Sequence, residues 1–383
     1  MLLSVKSRNF SARTDRSARF DLPLAFVTVG LLLFGVLMVY SASSYNGELN
    51  YGNEFFFAYK QIFGAISGII AMTAMTMLDY RKLIKARWVI IGVSILLLAL
   101  VLIPGVGVEN YGARRWLNLG IITLQSSEVA KVGYVIFAAA YMSKNYKKMT
   151  TIKGILPLIA VGGIICVLIM LEPNMSVTMC VALLMLTLFV MGGMPIKYLV
   201  AILVPLAVGV VLLILIEPYR LARLMAFLDP WSSPLEEGYQ LLQSFYAIGS
   251  GGFFGVGLFN SRQKYLFLPF AESDFIFSVI GEELGYFGCV CVILAFCFMI
   301  YRLVIISMNA PDRFGSYLAS GMAALIGIQV LINIAVVTGS IPPTGIPLPF
   351  VSAGSSSLMV FCAGIGICQS VSLRSHASIR ALL

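Results

Sequence analysis

Residues 154–216 read GILPLIAVGGIICVLIMLEPNMSVTMCVALLMLTLFVMGGMPIKYLVAILVPLAVGVVLLILI, with Glu172 and Lys197 as the only charges. The turn signals EPN and GGMP cut this stretch into three apolar runs, each close to the ~20 residues that a bilayer-crossing helix needs. The pattern repeats on either side. Leu22 to Gly47, Gln61 to Leu78 and Trp88 to Val108 carry no charge, and neither does any residue from Phe314 to Leu373. Over all 383 residues, 60% are hydrophobic and 11% charged, less than half the roughly 25% of a soluble domain. An ordinary soluble enzyme is excluded. The pattern predicts an all-α polytopic membrane protein of ten transmembrane helices, near 22–41, 58–78, 88–104, 127–142, 152–170, 175–191, 196–216, 275–301, 316–338 and 350–371. A long extracytoplasmic loop, 217–274, joins helices 7 and 8.

The net charge of +9 orients this bundle rather than binding nucleic acid. Of the 26 Lys and Arg residues, 18 fall on one set of alternating loops, and 13 of the 17 acids fall on the other side with eight bases. Positive charge stays in the cytoplasm, so both termini are expected there: a basic tail over 1–21, the membrane domain over 22–371 and a short tail over 372–383. The apolar run after the basic tail is too long for a signal peptide and is read as the first retained span. The seven cysteines show neither metal spacing nor a disulfide framework. Loops on the acidic side are the long ones, so function is expected to face outward.

Four segments there carry chemistry. Leu268 to Gly285 places Glu272, Asp274, Glu282 and Glu283 at the mouth of the eighth span. Asp274 fits either a helix N-cap or a general base whose pKa is raised by partial desolvation; Glu283 is expected to pair with a buried Lys or Arg. Gly112 to Gly120 and Gln125 to Lys131 bring Arg114 and Arg115, beside Trp116, near Glu128 and Lys131. The arginines suit an interfacial anchor or a phosphate clamp, and Glu128 and Lys131 share a helix face as an ion pair. Arg220 and Arg223 lie on one face of a surface helix facing lipid headgroups. Finally, Gly339 to Ser357 holds Pro343, Thr344, Gly345, Pro347, Pro349 and Ser352. Its prolines forbid a continuous helix, so it reads as a re-entrant cavity wall.

In their order and spacing, these segments, together with the Glu172-Pro-Asn174 turn, resemble the SEDS family of bacterial membrane proteins, the RodA, FtsW and SpoVE group, along nearly the whole chain. The Asp79-Tyr-Arg turn leans toward the FtsW and SpoVE branch. The resemblance implies a peptidoglycan glycosyltransferase of the bacterial cytoplasmic membrane. It would polymerise lipid II at the outer face during division, cell-shape or spore-cortex synthesis, beside a class B penicillin-binding protein and other divisome or elongasome proteins. It makes Asp274 the catalytic residue and implicates Glu128 and Lys131. This chain departs from the family pattern at Phe270, Ser273, Ser126 or Ser127, and Ala353 to Ser355.

In that chemistry Asp274 takes the proton of an acceptor hydroxyl. Arg114, Arg115 or Lys131, with or without a divalent cation such as Mg²⁺ or Mn²⁺, offsets the charge of the leaving pyrophosphate. The rival readings are a lipid II flippase and a non-catalytic scaffold for the penicillin-binding protein. A transporter site belongs near the midplane between repeats, whereas the ionisable groups here gather at the outer mouth, with Gln329 and Asn333 the main polar groups deeper in.

Overall fold

The structure, a computed structural model, describes residues 20–110, 113–118, 120, 123–216, 218–236 and 238–375. Most of the two expected tails, 1–19 and 376–383, therefore lies outside the described residues, as do positions 111, 112, 119, 121, 122, 217 and 237.

Ten helices stand where the ten spans are expected: α1 Leu22–Tyr51, α2 Phe56–Met77, α3 Lys82–Val101, α4 Ser126–Asn145, α5 Ile152–Leu171, α6 Met175–Met191, α7 Ile196–Ile216, α10 Ile276–Met308, α11 Arg313–Val337 and α12 Ser355–Arg374. Seven of them are long and apolar enough to cross a membrane; α4, α6 and α7 are not in that set. For α4 the reason is its position. It packs against α3, α5, α6, α11 and α12, and nearly every residue from Ser126 to Met142 is buried, so it needs no lipid-facing stripe.

Starts and stops follow local chemistry. Asp21 accepts from Leu24 N at the head of α1, Asn174 caps α6 and Asp312 caps α11. α12 begins at Ser355, later than the expected 350, because residues 341–354 are irregular. α2 and α12 pack backbone to backbone: a Cβ on Gly366 would sit 2.3 Å from Met72 O. At one end of the bundle Asp21 pairs with Arg302 at 2.6 Å and exchanges hydrogen bonds with Gln369, while Asp312 takes the Tyr80 hydroxyl and Arg81. These contacts tie the helix ends that carry the basic loops.

The opposite end holds the long segments. Residues after α3 form a three-stranded antiparallel sheet, β1 Gly107–Asn110, β2 Ala113–Asn118 and β3 Thr123–Gln125, with Val108 opposite Trp116 and Trp116 opposite Gln125. The sequence reading had no strands there: at three to six residues they are too short for an alternation to show. The 217–274 loop contains α8 Pro218–Leu228 and α9 Tyr239–Gly251. Only α8 has the strong amphipathic pattern of a surface helix. α9 buries Leu241, Leu242, Ser244 and Ala247 against α10 and α11, and Ser244 Oγ donates to Val337 O at 2.8 Å. The apolar face of α9 is thus claimed by the bundle.

Candidate active site

Asp274 stands just before α10, and it is not a helix cap: the N-cap position is Phe275, with no side-chain cap hydrogen bond. The half-buried carboxylate faces Gly345, where an added Cβ would lie 3.7 Å from Oδ2. Burial pushes its pKa up to about 7; its own backbone N–H works against the rise, the negative charge of Glu272 adds to it and the positive charge of Arg223 opposes it. Glu272 is likewise raised by burial and accepts from Asn46 of α1 at 3.2 Å. The stretch that leads to them contributes Pro269 and Phe270 to a cavity of about 390 Å³, lined also by Arg223, Glu236, Tyr239, Gln240 and Pro343.

The proline-rich segment contributes Pro343 to this lining and Gly345 opposite the Asp274 carboxylate. Pro349 and Ser352 are buried, Gly345 is exposed, and Pro343 and Pro347 are intermediate. Ser352 Oγ donates to Ser273 O at 2.6 Å and accepts from Leu348 N. Gln61 of α2 brackets the segment's end, donating to Ser352 O and accepting from Gly354 N. Thr344 Oγ1 is buried without a hydrogen-bond partner. Phe270 and Phe350 sit at φ 56° and 65°, left-handed conformations that cost a bulky residue ~1–3 kcal/mol each; strained backbone thus occurs both in the segment that leads to Asp274 and in the proline-rich segment.

A second polar cluster lies at the head of α4. Lys131 Nζ meets Glu128 Oε1 at 2.7 Å with both side chains fully buried, and Nζ sits 5.8 Å from the Phe361 ring of α12. Glu128 Oε2 and Ser127 Oγ have no partner. Glu172 closes the cluster from the α5–α6 turn, accepting from Ser126 Oγ at 3.2 Å. Burial pushes its pKa up to about 8, against the Ser126 hydrogen bond and the Arg115 charge. Glu172 is therefore neutral at pH 7, and the sign of its linkage follows. The folded state holds the proton more tightly, so stability falls as pH rises from about 4.5 toward 8 and stays low above. Glu172→Gln is expected to flatten that loss; a melting curve in detergent at pH 9 no more stable than wild type would refute it.

The arginines divide. Arg115 donates to Glu172 O and Pro173 O, so its guanidinium braces the β2 strand to the α5–α6 turn. Arg114 lies on β2 with Glu109 as its register partner. Arg220 belongs to α8, but its side chain lies outside the described residues; Arg223 of the same helix reaches the cavity. Glu283 also departs from expectation. Its carboxylate accepts from Ser41 Oγ at 2.6 Å and Ser261 N at 3.2 Å, and no cation among the described residues pairs with it. Hydroxyl and amide donors satisfy one oxygen without burying a second charge. Glu282 takes the next two amides, Arg262 N and Gln263 N, and α10 kinks at Gly285 (φ 68°) against Gly255.

The structure thus brings Asp274, Arg223 and the proline wall together, and sets Glu128 and Lys131 in a separate buried pair. Sequence reasoning missed Glu236, Tyr239 and Gln240 as cavity residues. Their segment carries no motif; Tyr239 and Gln240 reach the cavity through the packing of α9, and Glu236 from the exposed turn before it.

Residues 22–377 match the FtsW, RodA and SpoVE family model, described as cell cycle protein. The chain is 39% identical over 365 residues to stage V sporulation protein E of Bacillus subtilis, covering 95% of this chain and 100% of that one. It is 38% identical over 360 residues to the protein of Trichlorobacter lovleyi named probable peptidoglycan glycosyltransferase FtsW, covering 93% and 94%. Among solved structures it resembles a chain from a peptidoglycan synthase complex described for structural coordination of polymerization and crosslinking, with TM-score 0.77, 27% identity and coverage of 93% and 98%. It also resembles the rod shape determining protein RodA of Thermus thermophilus, with TM-score 0.69, 25% identity and the same coverage.

Proposed function

Because the chain belongs to the cell cycle protein family of FtsW, RodA and SpoVE, we propose that this multi-pass membrane protein is a peptidoglycan glycosyltransferase that polymerises lipid II with Asp274 as its general base. The observation that carries this reading is the setting of the Asp274 carboxylate, which faces Gly345 of the proline-rich segment and lies near enough to Arg223 to feel its charge, with burial raising its pKa to about 7. A base works best with a pKa close to the working pH.

In the reaction, the acceptor sugar hydroxyl attacks the anomeric carbon of the donor as its proton passes to Asp274. The bond to the pyrophosphate oxygen breaks, and the polyprenyl pyrophosphate leaves with the electron pair. In this reading Arg223 offsets that charge; Arg114, Arg115 and Arg220 are candidates for the same task, and Lys131 serves through its pairing with Glu128. A single displacement inverts the anomeric centre and requires no second carboxylate as nucleophile, unlike a retaining glycosidase. Mg²⁺ commonly binds through one or two carboxylates together with substrate phosphates, so a divalent cation, Mg²⁺ or Mn²⁺, belongs to this reading as a companion of the pyrophosphate.

The excess of bases on the loops after α2, α4 and α6 supports cytoplasmic termini, which puts Asp274 at the outer face. A class B penicillin-binding protein, to cross-link the strands, is the partner this reading requires; other divisome or elongasome proteins belong to the same expectation. The direct test is purified protein in detergent, alone and with a class B partner, incubated with lipid II. Glycan strands are expected. A flippase makes none where no bilayer separates two sides, so folded protein yielding no polymer in either arm would overturn the proposal.

A further inference from the structure

Three consecutive backbone carbonyls lead into α10, and each has a partner from outside its own segment. Glu272 O accepts from Ala353 N at 2.8 Å, Ser273 O from Ser352 Oγ at 2.6 Å and Asp274 O from Asn333 Nδ2 at 2.8 Å. The Asn333 amide also donates to Ile346 O at 2.9 Å. One buried side chain therefore joins the backbone of Asp274 to the backbone that follows Gly345, the residue facing the Asp274 carboxylate.

Resting on the assignment of Asp274 as the base, we infer that Asn333 is a positioning residue, assisted by Ser352, that fixes the gap between the Asp274 carboxylate and the proline-rich wall. The chemistry of asparagine fits the task. Its planar amide carries two N–H donors, and here both go to carbonyls of two different segments. Aspartate in its place would turn acceptors toward acceptors, and leucine would leave both carbonyls without a donor. Asn333 sits within α11, packed on the bundle, so the clamp is anchored in the rigid part of the fold rather than in the loop it holds. Backbone strain at Phe270 and Phe350 makes such anchoring necessary, because segments on either side of the gap would relax if released.

Displacing a reacting group by about 1 Å can lower the rate roughly 10²-fold. Asn333→Ala is therefore expected to reduce kcat by roughly 10- to 100-fold with KM for lipid II within about twofold, in protein that still folds. A second signature separates positioning from bulk destabilisation. The charged groups facing Asp274 are Glu272 from its own segment and Arg223 from α8; α11 beyond Arg313 and the proline-rich segment carry no charge. Releasing the clamp leaves those charges in place but admits water to the carboxylate, so the acidic limb of the kcat profile should move down from about 7. Ser352→Ala, which frees the neighbouring carbonyl, should shift the limb the same way and serves where Asn333→Ala does not fold. Both variants retaining wild-type kcat, or losing kcat with the limb unmoved, would overturn the clamp. If those results appear while Asp274→Asn is inactive, the base assignment stands and only the clamp fails; an active Asp274→Asn removes the base assignment itself.

Discussion

Replacing Asp274 by asparagine is expected to slow lipid II polymerisation by roughly 10²- to 10⁴-fold, the range that a positioned general base contributes, in protein that still folds. The amide keeps the shape of the side chain and cannot take the proton of the attacking hydroxyl. Wild-type activity should rise through pH of about 7 as the carboxyl ionises, and the residual activity of the variant should lose that limb. Stability should change in the opposite sense. A carboxyl raised from 3.8 to about 7 holds its proton more tightly in the folded state, so folding stability declines as pH rises between those values. Above that window wild type keeps a half-buried charge that the asparagine variant lacks. Asp274→Asn should therefore melt higher than wild type at alkaline pH, and the difference should shrink as pH falls toward 4. Polymerisation within about threefold of wild type would remove Asp274 from this role.

The second large effect is expected at Glu128 and Lys131. Their ion pair is 2.7 Å long and 0–1% exposed, deep in a helix that is itself surrounded by five others. Removing one partner from a buried pair leaves an uncompensated charge and costs about 3–5 kcal/mol, whereas replacing both by neutral residues of similar volume is often tolerated. Lys131→Met and Glu128→Gln alone should thus melt well below wild type, and the double variant should recover most of the loss. The rate need not follow. Glu128 Oε2 and Ser127 Oγ are buried with no partner, a polar capacity that the ion pair leaves unused. The double variant is expected to fold yet polymerise at least about tenfold more slowly than wild type. Full activity in the double variant would make the pair purely architectural, and a double variant as unstable as the singles would deny the electrostatic account.

The residues that were legible in advance are those whose chemistry conflicts with their surroundings. Asp274 stands out because a carboxylate at the mouth of an apolar helix demands a reason, and the run from Pro342 to Pro349 because no helix accommodates its prolines. α4 was legible as a helix, but the burial of Ser126, Ser127, Glu128 and Lys131 by its central position was not. Tyr239 and Gln240 were illegible: nothing in YQLLQSF distinguishes a helix lying on a membrane from one packed on α10 and α11. The partner of Glu283 was misread for a related reason. Charge balance suggests a cation, but the donors that reach it are a hydroxyl and an amide from α1 and the loop before α10, far away in the chain.

Composition and spacing by themselves determined that this chain is a bundle of membrane helices, which loops are basic and which acidic residues stand at the acidic end. These follow from transfer free energies that act on each segment separately, and a segment carries them wherever it packs. Only the tertiary structure decided that Arg223 comes near enough to Asp274 for its charge to act there, that the helices around α4 seal the Glu128–Lys131 pair from solvent, and that Asn333 joins the two segments beside the carboxylate. Those facts depend on distances between segments that are remote in sequence. Such distances are set by helix packing and by single hydrogen bonds across the bundle, for which no local pattern in the chain is a signal.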